Sequence, residues 1–358
     1  MALAHNLGFP HIGRDRELKT ALEAYWQGEL DEAGLRAVGR QLRAAHWRLQ
    51  QDAGIELLPV GDFAWCDPVL NHSLLFGVVP ERCRTADGRV TLDSQFAMAR
   101  GAQAQEMARR FDTDEHYLVP AFSADQQFRL SWEQLFEEVE EARALGHAVK
   151  PVLLGPLTYL WLGKAEGEAF DKLELLERLL PVYGEVLGRL AGLSVDWVQI
   201  DEPILGLDLP QAWRTAFERA YNLLQAPRPQ KLLSTCYAGL DGNLGLAANL
   251  PVAGLHVDLV RAPEQFPAIL DRLPAYKVLS LGVVDGHDGW RSDLERALAV
   301  LREAQERVGE RLWVAPSCAL SPSPEGADGE HRLARAVRRC QEVAQLADAL
   351  NQRQVQAA

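Results

Sequence analysis

Asp196-Trp197-Val198-Gln199-Ile200-Asp201-Glu202-Pro203 is a short apolar run that ends on two acids and a proline. Proline has no N–H to give a sheet ladder, so Pro203 closes the strand that the run predicts. The same rhythm repeats on both sides. Candidate strands are Asn6–Phe9, Glu56–Val60, Leu118–Phe122, Ala148–Leu154, Asp196–Ile200, Lys231–Cys236, Gly254–Val260, Lys277–Leu281 and Leu312–Pro316. Helical patterns lie between them, over Glu17–Gln27, Asp31–Asp52, Trp132–Leu145, Lys172–Leu190, Leu209–Leu224, Pro263–Leu273 and Asp293–Val308. Leu35, Val38, Leu42 and Ala45 repeat at helical spacing, as an amphipathic stripe should. A last helix, Arg332–Leu350, follows a Pro/Gly/Ser-rich loop, so 333–358 is expected to be a C-terminal helix and tail. Strands alternating with helices predict parallel βαβ units. The expected fold is α/β, a (β/α)8 TIM-type barrel with extra helices, formed by 1–358 as one domain. Nine candidate strands are one too many, and one run should be an edge piece or appendage. The alternative is an open doubly wound sheet, although no Gly-x-Gly-x-x-Gly follows an early strand.

A chain of 358 residues, 47% hydrophobic and 24% charged, can bury a large core and has an ordinary globular composition. Its net charge of -13 argues against non-specific nucleic-acid binding, which needs cations to neutralise phosphates. The start lacks the charged and apolar regions of a signal peptide. No apolar run approaches the roughly 18 residues of a spanning helix. The five cysteines, Cys66, Cys83, Cys236, Cys318 and Cys340, are odd in number and scattered, which suits a reducing cytosol better than a disulfide framework. No nucleophile elbow and no phosphate loop occur. Trp65, Trp161, Trp197 and Trp313 sit in or beside apolar runs and read as core or pocket wall, not as a base-stacking stripe. The expectation is a cytoplasmic protein with no nucleic-acid or membrane partner.

The first nineteen residues carry the sharpest local signal. Arg14, Arg16 and Lys19 fall within six residues, just after Gly8, Pro10 and Gly13 break an apolar run. Arg16 and Lys19 are three apart and share a helix face, and helix N-termini attract anions. In so acidic a chain this reads either as an anion site or as a solvated first turn. Acids follow or close the candidate strands at Asp62, Asp201, Glu202, Asp258 and Asp285, and strand C-termini form the site-bearing face of a barrel. Converging there, carboxylates could hold a cation, an amine or the amidine edge of a pterin, or act as acid and base. The alternative is that they cap the next helix. No His-x-x-x-His pair occurs, and His116 and His256 read as core or surface polar groups rather than ligands.

Several blocks, in order, resemble cobalamin-independent methionine synthase: Leu7-Gly8-Phe9-Pro10, Ile12-Gly13, Arg16-Glu17-Leu18-Lys19, Tyr25-Trp26, Leu58-Pro59-Val60-Gly61-Asp62-Phe63-Ala64-Trp65, Lys150-Pro151-Val152-Leu153-Leu154-Gly155-Pro156, Trp197 to Pro203, and Gly254 to Val260. The resemblance reaches about Asn351. That family has two similar barrels and about twice this length, and the chain resembles only the first barrel. The resemblance implies a role in passing the methyl of 5-methyltetrahydropteroyl-polyglutamate to homocysteine. It assigns Arg16, Glu17, Leu18 and Lys19 to the folate, and Arg109 stands where the family carries a lysine after a longer loop. It implies no catalytic residue and no metal in this chain, with zinc held by a separate C-terminal-type barrel as partner. Cys236, in Ser234-Thr235-Cys236-Tyr237, and Cys318 sit where first-barrel copies of the family's His-x-Cys and late Cys ligands would fall. They form an incomplete set and are weak metal candidates. Asp201-Glu202-Pro203 recurs in the family's catalytic barrel, which suggests gene duplication. Two other functions stay open: a stand-alone folate-binding module without catalysis, and a single-barrel metal-dependent methyltransferase.

Overall fold

Eight parallel strands close on themselves: β1 Leu3–Ala4, β2 Leu58–Val60, β3 Val149–Leu154, β4 Trp197–Asp201, β5 Gln230–Ser234, β6 Gly254–Asp258, β7 Val278–Val284 and β8 Leu312–Pro316. In this computed structural model, residues 1–100, 105–109, 111, 116–226, 228–287, 292–322 and 333–357 are described. Each strand pairs in parallel with its sequence neighbour from β2 to β8, and β8 pairs with β1. A parallel bridge between His5 and Leu57 joins β1 to β2, and Glu56 N–H donates to the Ala4 carbonyl at 3.0 Å. That last seam makes the sheet a barrel rather than an open doubly wound sheet.

The first strand ends earlier than its sequence suggests. Asn6–Phe9 is apolar enough for a strand, but its N–H groups go to side chains. Leu7 and Gly8 donate to Asn6 Oδ1, and Phe9 donates to Asp62 Oδ2. The surplus run, Leu118–Phe122, splits at Pro120, which cannot donate. Its first part forms an antiparallel hairpin, Met107–Arg109 with His116–Leu118, and Ala121–Phe122 pairs with Lys164–Ala165 outside the barrel. The hairpin and Ala121–Phe122 belong to the long excursion between β2 and β3, which also carries helices Pro68–Leu75 and Leu92–Ala99, whereas Lys164–Ala165 follows β3.

Some helices begin where a short polar side chain takes a free N–H group. Asp31 accepts from Gly34 N at 2.8 Å and starts the helix Glu32–Asp52. Asp293 accepts from Arg296 N at 3.0 Å and starts Leu294–Val308. The last helix, Ala334–Ala357, packs on β1 and β8. There Asn351 grips Ala2, accepting its N–H at 2.7 Å and donating to its carbonyl at 3.0 Å. The loop ahead of this helix lies outside the described residues from 323 to 332.

Inside the barrel, an apolar layer at the amino ends of the strands contains Leu3, Leu57, Trp197, Leu232 and Trp313. Above it the interior turns polar: His5, Lys150, Gln199, His256 and Ser280 are all buried. Barrels usually fill this space with branched apolar side chains. Buried polar groups are costly unless they bond to one another, so this layer has to be a connected network. His5 Nε2 and His256 Nδ1 bond to Ser280 Oγ at 2.7 and 2.8 Å. Lys150 Nζ donates to the Asn6 carbonyl at 3.1 Å and to Gln199 Oε1.

Candidate functional site at the carboxyl ends of the strands

The strand ends converge on a mouth lined by acids. Asp201 is the last residue of β4 and Asp62 lies two beyond β2. Gln199 Nε2 donates to Asp201 Oδ1 at 2.7 Å and to the Leu7 carbonyl at 3.0 Å, while its oxygen receives Lys150. Burial pushes the Asp62 carboxyl up to about 6, although the Phe9 N–H and the Lys150 charge pull the other way. Burial likewise lowers Lys150, and the Asp201 and Asp62 charges oppose that fall. Asp62 and Asp201 therefore share the charge of one buried amine that lies beneath them. Lys150 was not among the sequence candidates. Its signal was a lysine, then a glutamine at 199, inside runs otherwise suited to a buried strand.

Successive strand residues point to opposite faces, so Asp201 and Glu202 part company. Glu202 turns away from the mouth and is fully buried. Its carboxylate accepts from Leu157 N at 3.3 Å, Thr158 N at 2.8 Å, Thr158 Oγ1 at 2.6 Å and Tyr221 Oη at 3.1 Å. It thus caps helix Pro156–Leu162, which precedes it in the chain, rather than the helix that follows. Gly155 makes room for it: a Cβ there would stand 2.1 Å from Glu202 Cδ. Burial pushes Glu202 up to about 7 against the pull of the Thr158 donors.

On the far side of the mouth, Asp258 ends β6 and accepts from Tyr237 N at 3.2 Å, Val260 N at 3.0 Å and Arg261 N at 2.9 Å. It organises a turn, and burial raises it to about 6. Cys236 and Cys318 are buried and stand in no disulfide. Burial and the Asp258 charge push the Cys318 thiol up to about 12. A thiol so held is not a ready nucleophile. No group of three or more His, Cys, Asp or Glu able to hold a metal ion occurs among the described residues. His256 is tied to Ser280 and to the Ser317 carbonyl at 3.4 Å, a core position. His116 is exposed on the hairpin.

The cationic segment lies beyond β1, on the same side as the mouth. Arg16 takes a left-handed φ of 67° and starts helix Glu17–Gln27. Arg16, Glu17 and Lys19 are exposed, whereas Leu18 is buried and packs in the cluster of Leu22, Leu35 and Leu42. Leu18 is therefore the anchor of the turn. Glu17 Oε2 accepts from Asp15 N at 2.8 Å, and the Lys19 amine lies 3.9 Å from Glu23. His46 Nε2 bonds to the Ile12 carbonyl at 2.8 Å and holds the approach.

Arg109, on the hairpin, is exposed. Two residues on, Phe111 stacks on Tyr237, with centroids 6.1 Å apart and 20° between the planes. Tyr237 follows β5, three strands around the barrel from the β2 end where the excursion starts. Both aromatics have left-handed φ, 51° and 72°, a conformation that persists only where surroundings enforce it and that clusters at functional sites. The stack brings the hairpin that bears Arg109 to the rim.

A closed parallel barrel with a buried amine under paired carboxylates and a cationic turn at its rim defines an α/β-barrel protein with a site at the strand ends. A family model for the cobalamin-independent synthase N-terminal domain matches residues 3–309, and the chain belongs to that family. Its fold is similar to a B12-independent methionine synthase from Shewanella sp. W3-18-1 solved with selenomethionine: TM-score 0.67, 14% identity, with 92% of each chain covered. It is also similar to a candidate vitamin-B12-independent methionine synthase from Listeria monocytogenes, with TM-score 0.65, 15% identity and coverage of 98% of this chain and 99% of that one. A methyltransferase from Methanosarcina mazei follows at TM-score 0.56 and 11% identity, covering 93% and 99%. At these identities the three solved chains speak to fold alone. No helix among the described residues is long and apolar enough to cross a membrane.

Proposed function

We propose that this chain is the folate-binding half of a cytosolic methionine synthase. It receives 5-methyltetrahydropteroyl-polyglutamate, and a separate zinc-bearing barrel presents homocysteine as its thiolate. The observation that carries the reading is the exposed pair Arg16 and Lys19 at a helix start on the mouth side, within a chain of this family. The glutamate tail is a run of carboxylates. Arg16, Lys19 and Arg109 clamp it by charge-assisted hydrogen bonds, which are stronger than neutral ones. Leu18 holds the turn in place, and Glu17 fixes its backbone through Asp15. Asp62 and Asp201 offer acceptors for an amidine edge at the mouth, with Lys150 beneath to keep negative charge there affordable.

Methyl transfer to sulfur needs a thiolate, and zinc on the partner barrel supplies it. The test combines both barrels with homocysteine and methylfolate triglutamate. Methionine should form only when both are present. No methionine from the pair ends the split-enzyme reading, and stoichiometric zinc in this chain alone would favour a complete single-barrel methyltransferase instead.

A further inference from the structure

The amino ends of the strands hold a cavity at the pole opposite the mouth. Its volume is about 410 Å³, the size range of small-ligand sites. The indoles of Trp197 and Trp313 form its floor, edge to face with centroids 4.6 Å apart, beside Leu3 and Leu57. Neither indole N–H has a protein acceptor among the described residues.

Two arginines flank this floor. Arg228 is already paired with Asp196 at 2.9 Å. Arg143, exposed in the last turn of helix Gln134–Ala144, has no carboxylate partner among the described residues. His147 lines the same wall, and its Nδ1 is buried without a hydrogen-bond partner. The Arg143 guanidinium thus stands beside an aromatic floor with its hydrogen-bonding fork open to a carboxylate.

We infer that this cavity binds a planar aromatic monocarboxylate, its ring on the two indoles and its carboxylate in the fork of Arg143. The guanidinium fork matches carboxylate geometry in two parallel bonds, and indole faces favour flat rings in offset or edge contact. A polyanion is disfavoured. Helices present their negative ends on this face of the barrel, and only one cation there lacks a partner. The site lies apart from the folate reading, because no lining residue belongs to the mouth.

The test titrates 2-naphthoate into the full chain by calorimetry, with 2-naphthamide and cyclohexanecarboxylate as controls. Saturable one-to-one binding of 2-naphthoate is expected, with both controls at least tenfold weaker. Arg143→Gln, an exposed substitution, should weaken 2-naphthoate at least tenfold and leave 2-naphthamide unchanged. Trp197→Phe, which keeps a ring in place, should weaken both while the melting temperature holds. The double variant Arg16→Ala, Lys19→Ala should bind 2-naphthoate as the parent does. Absence of saturable binding, indifference to Arg143→Gln, or loss in the Arg16/Lys19 variant would each overturn the inference.

Discussion

The ring of Phe111 lies nearly parallel to that of Tyr237, 6.1 Å away, although the two come from the β2–β3 excursion and the end of β5. One contact therefore ties an appended hairpin to a strand end three strands further round the barrel. On this account the stack holds Arg109 where a ligand at the mouth can meet it.

Arg109→Ala should weaken methylfolate triglutamate by about tenfold, the value of one charge-assisted hydrogen bond of roughly 1.5 kcal/mol. Phe111→Ala should cost nearly as much, although it removes no charge. Calorimetric titration of both variants decides the point. A full loss with Arg109→Ala and none with Phe111→Ala would show that the stack does not position the arginine.

Glu202 makes stability depend on pH in a definite direction. Its carboxyl titrates at about 7 in the folded chain against the ordinary 4.5. Between those values the folded state keeps a proton that the unfolded chain releases, so this group's contribution is fully present below the lower value and fades as pH rises through the upper one. The change amounts to roughly 3 kcal/mol at about 1.4 kcal/mol per unit. Glu202→Gln should therefore be most destabilising near pH 4.5, with the deficit shrinking towards pH 7.5. Denaturant unfolding at both pH values measures it; a deficit that grows with pH contradicts the assignment.

Gly155 and Glu202 should behave as one unit. Gly155→Ala forces a methyl into the carboxylate and should cost about 3 kcal/mol, the upper end for overpacking. Combined with Glu202→Ala, the clash has no partner and the two losses should fall short of their sum by more than 1 kcal/mol, as expected for contacting residues. Additive losses would mean that the glycine serves something other than the carboxylate.

Much of the architecture is legible in the chain. Leu312–Pro316 and Glu17–Gln27 have their expected bounds, and the other barrel strands after β1 shift by only a few residues at either end. Periodicity reports burial, and these elements are buried on the faces it predicts. It fails at Asn6–Phe9, where side-chain oxygens of Asn6 and Asp62 replace a neighbouring strand as partners. It fails again for the short helix Pro156–Leu162, which is buried along nearly its whole length and so has no solvent face to set a period. The acids at the strand ends were legible as a group but not one by one. Only three-dimensional pairing shows that Asp201 faces Lys150 while its neighbour Glu202 caps a helix behind the barrel. The Phe111–Tyr237 contact has no local signal at all, because it joins residues distant in sequence through backbone conformations that neither residue type favours.

The central claim is that Arg16 and Lys19 read a polyanionic tail. Its most direct test is titration of the chain with methyltetrahydrofolate bearing one or three glutamates, before and after Arg16→Ala with Lys19→Ala. The account predicts that the double change weakens the triglutamate far more than the monoglutamate, and that the difference shrinks at high salt, where exposed charges are screened within about 3 Å at 1 M. Equal losses for the two ligands, insensitive to salt, would contradict it.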